Sequence, residues 1–273
     1  MLRVATFNVN GIRAAERRGF ADWFTERHPD VLAVQEMRCP VAEVPDVFGG
    51  HHLLYHPGTL AGRNGVALVT AAEPSAVRSG FGNREFDDEG RYVEADLDLS
   101  GGRLLRVASV YVPKGGTPYE DAASLARMER KFRFLRSFAR YLTRARREAA
   151  RDGREFIVMG DWNIAPTEFD LRNWRSNKKS EGFLPEEREW IASVQSPRTL
   201  VDVVRARTGM TDGPYSWWSW RGKAFDTDAG WRIDYQLATP ALVTAAAAAG
   251  TDRPATYDSR ISDHAPVVVD YDI

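Results

Sequence analysis

The chain has 273 residues, 43% of them hydrophobic, and its 37 Lys+Arg against 38 Asp+Glu give a formal net charge of −1. That length permits a sizeable core as one large domain or two small ones, and the charge excludes a protein coated in positive charge while leaving room for a local basic face. Cys39 is the only cysteine, which excludes an intrachain disulfide and points to a reducing compartment.

The N-terminus, MLRVATFNVNG, turns polar after a few residues and lacks the apolar stretch of a signal peptide. No apolar run approaches the ~20 residues of a membrane-spanning helix. The expectation is a cytoplasmic, non-secreted monomer without a membrane partner. The first strand candidate is LRVATFNV, followed by a helix over RGFADWFTERH that sets Phe20, Trp23 and Phe24 on one stripe. DVLAVQE and GVALVTA are the next strands, and RYVEADLDL alternates as a half-buried strand should. LLRVASVYV precedes the longest helix, 121–150, on which Met128, Phe132, Leu135, Phe138 and Leu142 recur at helical spacing with arginines opposite. FIVMGDWNI does not alternate and reads as buried on both faces. LPEEREWIASV starts a further helix, with Pro185 and early glutamates suited to its positive end. WRIDYQLAT and APVVVDYDI complete the strands. TAAAAAG, near 244–250, has no repeat partner, and no Pro/Gly/Ser-rich linker divides residues 1–273. Strands outnumber helices, which favours a single α+β domain of two packed sheets with helices outside.

Six strand candidates carry polar residues at or near an end. Asn8 and Asn10 end the first, Glu36 the second, Tyr111 the one before a proline turn, and Asp161 with Asn163 the run IVMGDWN. Asp234 lies among apolar neighbours, and Asp263 with His264 opens the last. Any one Asn or Asp there is an ordinary turn residue. Six sites of one style favour convergence on a common mouth, and a buried Glu36 or Asp234 would need a partner. Glu36 with amide oxygens is the ligand style of Mg²⁺, which keeps waters and borrows substrate phosphate. No Cys/His cluster suggests zinc. Asp263 could orient the His264 imidazole, Tyr111 could supply a phenol or phenolate, Asp161 could deprotonate a water and Asn163 could donate to a phosphoryl oxygen. These are the parts for attack of water on a phosphodiester.

The pieces FNVNGIRA, QEMR, GVAL, GRYVEAD, YVPKG, MGDWNIAP, FLPEEREW, GWRIDY and SDHAPV run in order from residue 6 to about 268. In them the chain closely resembles the exonuclease III family of apurinic/apyrimidinic (AP) endonucleases, within the endonuclease/exonuclease/phosphatase superfamily. The resemblance implies a four-layer α/β/β/α sandwich of two packed mixed β-sheets with outer helices. It implies hydrolysis of double-stranded DNA 5′ to abasic sites with Mg²⁺ or Mn²⁺, and 3′-phosphodiesterase, 3′-phosphatase and 3′→5′ exonuclease work on damaged 3′ ends. Position by position, Asn8 and Glu36 match metal-side residues and Tyr111 the active-site tyrosine. Asp161 matches the acid handling the nucleophile, Asn163 the transition-state donor, and Asp234 a supporting acid. Asp263 and His264 match a carboxylate–histidine pair at the scissile phosphate, and Asp161, Asn163, Asp263 and His264 stand also as metal-side candidates.

Two departures matter. Met37 and Arg38 stand where the family usually has threonine and lysine, so a fork replaces a point charge. Lys114 stands where an amide is common, and lysine only donates. Trp217 and Trp231 match positions lining the pocket for a flipped-out abasic sugar, with Ile233 nearby; extrusion costs a few kcal/mol, less when the base is missing. Trp218 and Trp220 read equally well as core. Arg38, Arg63, Arg91, Lys114, Lys178, Lys179, Arg221 and Lys223 are candidates to track phosphates, whereas the arginines of the long helix face away from its core stripe. A phosphoesterase on a non-nucleic substrate would not need the aromatic pocket or FLPEEREW. A damaged-DNA binding module with weak catalysis would not need the full catalytic set.

Overall fold

The computed structural model describes residues 1–60 and 62–273. Its elements in chain order are β1 (Leu2–Asn8), α1 (Ile12–Glu16), α2 (Phe20–Arg27), β2 (Val31–Gln35), β3 (His52–His56), β4 (Val66–Thr70), β5 (Pro74–Ser79), β6 (Tyr92–Leu99) and β7 (Arg103–Tyr111). There follow α3 (Ala122–Arg151), β8 (Glu155–Asp161), α4 (Pro185–Ser193), β9 (Val201–Asp202), α5 (Val203–Thr208), β10 (Asp234–Ala238), α6 (Pro240–Ala245), β11 (Ala246–Thr251) and β12 (Val267–Tyr271). One sheet has the order β11-β12-β1-β2-β4-β3 and the other β5-β6-β7-β8-β10-β9. Both are mixed: β1 runs parallel to β2 and β7 parallel to β8, while the remaining pairs are antiparallel.

Side chains of a strand alternate between faces, and here each face finds apolar cover. Val4, Val31, Ala33 and Leu68 of the first sheet meet Ala95, Val107, Ile157 and Met159 of the second. Ala5, Phe7, Leu32 and Val34 point the other way, onto Phe20 and Phe24 of α2. Ala108, Val110, Phe156 and Val158 lie under Phe134, Leu135, Phe138 and Leu142 of α3. The result is the four-layer sandwich expected from the resemblance. α3 starts at Asp121, whose carboxylate accepts from the Ser124 amide at 2.6 Å, the usual cap of an otherwise unpaired N–H. Met128 and Phe132 of its expected stripe are only half-buried, and Lys131 is fully buried in their place.

β6 alternates as read, but it is not half-buried. Its polar face is covered too: Glu94 accepts from Tyr92 and Tyr141, each at 2.7 Å, and Asp96 takes a two-pronged pair from the fully buried Arg106 at 2.6 and 2.9 Å. Paired charges satisfied by hydrogen bonds can occupy an interior that a lone charge cannot. The alanine run departs from local preference. Ala246–Thr251 forms an edge strand on β12, although alanine is the best helix former. Pairing with the backbone of β12 overrides propensity there.

Candidate active site

Strand parity builds the site. In β1 the positions of Leu2 and Val4 face the inter-sheet core, so Asn8, four on from Val4, ends on that same face. Likewise Val107 leads to Tyr111, Ile157 and Met159 lead to Asp161, and Ala238 leads back to Asp234. Register aligns the ends: Tyr111 pairs with Asp161, and Asp161 with Asp234. Four polar residues therefore cap one end of an apolar core. Gly160 makes that register possible, because a Cβ there would lie 2.0 Å from the Val110 carbonyl oxygen. Glu36 follows β2 and breaks alternation: its left-handed backbone, φ 54, delivers the carboxylate to the mouth. Such a conformation in a non-glycine residue is held only by its surroundings.

The Asn8 amide nitrogen donates to Glu36 Oε1 at 3.0 Å and to Asp161 Oδ2 at 2.9 Å. Its oxygen accepts from the Asn10 amide at 3.1 Å. The Asn8 amide nitrogen thus holds two carboxylates together, while its oxygen, with one hydrogen bond accepted, keeps a lone pair on the metal side. Glu36 also pairs with the Arg38 guanidinium, which reaches Asn10 Oδ1. The Asn163 amide nitrogen donates to the Val112 carbonyl at 2.9 Å and to Asp161 Oδ2 at 3.2 Å. The carboxylate that orients His264 is Asp234, 2.9 Å from Nδ1. This corrects the expected pairing with Asp263. Asp263 instead accepts from Asn10 at 2.8 Å and from the Trp217 indole at 3.1 Å. His264 Nε2 faces Asp161 Oδ2 at 3.8 Å.

Burial drives the titration. It pushes Asp161 up to about 7, against the pull of His264 and with help from Asp234 and Glu36. Burial alone would lower His264, but Asp234, Asp161 and Asp263 raise it to about 10. Burial also works against Asp263, yet His264 and the bonds from Trp217 and Asn10 hold its carboxyl below the usual range. For Tyr111, burial and then the charges of Glu36 and Asp161 push the hydroxyl well up. Of the phenol and phenolate expected, the phenol is the form this site favours.

The donor set fits a hard divalent cation. Glu36, Asp161, Asp234 and Asp263 outweigh Arg38 and a protonated His264 by two negative charges when all are ionised. Polar atoms of Asp161, Asp234 and His264 lie within 4.8 Å of one another; with the imidazole protonated, the two carboxylates are the ones that would hold a cation. Asp234 Oδ1 is buried without a hydrogen-bond partner, a cost that a cation would remove. Oxygen-rich donors suit Mg²⁺ or Mn²⁺. The metal-free fold should weaken as pH rises through about 7 and on toward 10, because both raised groups give their stability below those values. A divalent cation should therefore raise the melting temperature more at pH 8 than at pH 6. At 100 times its Kd it adds about 2.7 kcal/mol, and Glu36→Gln should remove most of the gain. Scanning fluorimetry with Mn²⁺ against EDTA measures this, and a flat response at both pH values would exclude cation binding here.

Glu36, Arg38, Tyr111, Lys114, Asp161, Asn163, Asp263 and His264 share one cavity of about 390 Å³ with Trp217, Trp231 and Ile233. The two indoles meet edge to face at 6.2 Å and are half-buried, whereas Trp218 is core at 1% exposure. Trp220 is half-buried and carries Arg260 over its ring at 4.0 Å. Lys114 is exposed at the rim, 3.6 Å from Glu181. Lys178 and Lys179 lie between the cavity residues Asn177 and Ser180 and stack over Trp174 and Tyr119. Arg63, Arg221 and Lys223 are exposed on loops. Arg91 is the exception among the expected phosphate contacts: it is 8% exposed. It pairs with Glu89, lies 5.1 Å from the Tyr111 ring centre and donates to the Tyr111 carbonyl at 3.2 Å. Its partners hold it inside, where it supports the tyrosine. The α3 arginines Arg130 and Arg133 pair with Glu89 and Glu85.

Sequence reasoning named Asn10 without giving it a role, and missed Ser216 and Glu181. Ser216 donates to Asp234 Oδ2 at 2.6 Å and accepts from two backbone amides at 3.1 Å. The doublet of asparagines in FNVN was the only signal for Asn10. Among the described residues no helix is long and apolar enough to cross a membrane.

The sequence profile of the Endonuclease/Exonuclease/phosphatase family matches residues 5–264. Exodeoxyribonuclease III of Haemophilus influenzae is 29% identical over 280 aligned positions, covering 99% of this chain and 100% of that protein. DNA repair nuclease APEX1 of Danio rerio is 29% identical, covering 98% of this chain and 81% of that protein. Among solved structures, an AP endonuclease from Archaeoglobus fulgidus superposes over the full length of both chains with a TM-score of 0.83 at 29% identity. The 3′ phosphatase NExo from Neisseria, bound to a product DNA hairpin, does so with a TM-score of 0.84 at 25% identity.

Proposed function

The chain belongs to the endonuclease/exonuclease/phosphatase family and is a phosphodiester hydrolase, and we propose that its substrate is double-stranded DNA carrying abasic sites or damaged 3′ ends. In this reading it cuts the backbone 5′ to the lesion with Mg²⁺, Mn²⁺ serving in its place. The observation that carries the reading is the shared cavity, which brings the residues for phosphate chemistry together with Trp217, Trp231 and Ile233. A sugar without its base fits against these apolar side chains. The relatives named as exodeoxyribonuclease III, AP endonuclease and 3′ phosphatase support the same substrate class.

The cation, held by Glu36 and the carboxylates beside it, would polarise the phosphoryl oxygens and steady the developing charge. Asp161, poised by burial near neutrality, takes the proton of the attacking water. His264, held protonated and aimed by Asp234, meets a phosphate oxygen as a charge-assisted donor. Asn163 offers an amide hydrogen to the same centre. Water's oxygen forms the new bond to phosphorus, the bond to the 3′ oxygen breaks, and that oxygen ends protonated. Tyr111 has the phenolic proton to supply it, and Arg91 beneath its ring fixes its position.

A duplex holding one tetrahydrofuran abasic analogue tests the proposal. Nicking 5′ to the lesion with Mg²⁺, lost in EDTA, is the expected outcome. Tight binding without nicking would make the chain a binding module, and indifference to the lesion would move its substrate outside DNA repair. Contacts with phosphates release counterions, so binding should fall steeply with salt.

A further inference from the structure

We propose that Lys131 and Glu187 are a positioning pair that holds Asn163 and the Lys114–Gly116 turn in register for catalysis; this rests on the phosphodiester-hydrolase reading of the site. Lys131 of α3 is 0% exposed and Glu187 of α4 is 1% exposed. A lysine ammonium has three hydrogens to donate, and all three are used. Nζ lies 2.6 Å from Glu187 Oε1, 2.8 Å from the Asn163 carbonyl oxygen and 3.1 Å from the Lys114 carbonyl oxygen. Those carbonyls belong to the two loops that leave β7 and β8, directly after Tyr111 and Asp161.

The neighbours are shaped to this arrangement. Gly115 has φ +89, and a Cβ on it would lie 2.8 Å from Lys131 Cδ, so the turn packs on the lysine stem. Asn163 has φ 50, a backbone state that persists only when its surroundings impose it. Its amide is fixed by Asp161 Oδ1 at 2.9 Å and its carbonyl by Lys131. Glu187 Oε2 accepts from the Leu184 amide at 3.0 Å, which ties the start of α4 to the same point. A buried ion pair is weak evidence for stability, since apolar residues of like volume often serve as well. Apolar residues would fill this space and leave two loop carbonyls without donors. The charge is therefore explained by what it anchors.

The test is Lys131→Met combined with Glu187→Gln, which removes both charges together and keeps an acceptor for Leu184. Melting temperature, kcat and KM are measured on the tetrahydrofuran duplex with Mg²⁺. The variant should fold, keep its KM and lose about 10- to 10²-fold in kcat, the scale of a small misplacement of a reacting group. In an Asn163→Ala background the same pair should cost less than about threefold, because groups that act through one another are not additive. A folded variant with wild-type kcat overturns the inference, as does a loss confined to KM or one that is fully additive with Asn163→Ala. Should the double variant fail to fold, Lys131→Arg replaces it. A planar fork cannot turn one nitrogen onto three acceptors, so kcat should fall about tenfold, and wild-type kcat would again overturn it. Wild-type protein inert on phosphodiesters sinks the functional reading; wild-type nicking with an equally active variant sinks this inference alone.

Discussion

Asp161→Asn should bind the abasic duplex within a few-fold of wild type and cut it about 10³-fold more slowly or worse, the upper part of what a positioned general base contributes. The change keeps the shape of the side chain and an acceptor for the Asn163 amide, now 2.9 Å from Oδ1. It removes the proton acceptor facing His264 Nε2 and one negative charge from the mouth. The stability effect should run the other way. Burial raises the Asp161 carboxyl to about 7, so its ionisation in the fold is disfavoured and the metal-free wild type loses stability as pH rises through that value. Asparagine has nothing to ionise. In EDTA, the melting temperature of the variant should therefore fall less between pH 5 and pH 8 than that of wild type. Single-turnover cleavage and melting curves read the two effects separately. Cleavage within tenfold of wild type would remove Asp161 from the role of base. A variant that melts far below wild type at every pH would mean that the rate loss reports unfolding.

Much of this site can be read from alternation and strand ends. Once Val4, Val107 and Ile157 are taken as core-facing, counting by twos leads to Asn8, Tyr111 and Asp161, and the antiparallel neighbour of Asp161 is Asp234. Asp263 lies in a bend before β12, where such counting does not apply, and there naming adjacent residues as a pair fails. Register between strands is a long-range property, so the pairing of Asp234 with His264, thirty residues apart, has no local sign. Arg91 fails for a related reason. An arginine after a glycine turn reads as exposed, and only the tertiary placement of Glu89 and the Tyr111 ring draws it inside. Lys131 is the hardest case. It sits among the apolar positions of α3, where periodicity would make it a boundary residue, and its meaning depends on carbonyls 17 and 32 residues away. Local pattern gives elements and parity. Buried charges and edge strands such as β11 answer to partners that the local pattern does not name.

Asn163→Ala should lower kcat by about 10²–10³, the cost of losing one donor aimed at developing charge. The argument has to separate the amide from the backbone, because Asn163 has φ 50. Asparagine tolerates that region better than alanine does, so an alanine variant could lose rate through a shifted loop. Glycine separates the two causes: it accepts the backbone state and has no amide. If the amide does the work, Asn163→Gly and Asn163→Ala should be equally slow, with the glycine variant the more stable of the pair. If the backbone does the work, glycine should restore most of the rate. In the resting site the amide nitrogen spends one hydrogen on the Val112 carbonyl at 2.9 Å and the other on Asp161 Oδ2 at 3.2 Å. The second bond is the longer, and Oδ2 keeps its bond from Asn8 at 2.9 Å. In the proposed mechanism that hydrogen would pass to a phosphoryl oxygen as Asp161 turns to its water, so that donor and base would be released by the same exchange. Asn163→Asp should then be worse than either neutral variant, because a second carboxylate beside Asp161 removes the donor and adds a repelling charge.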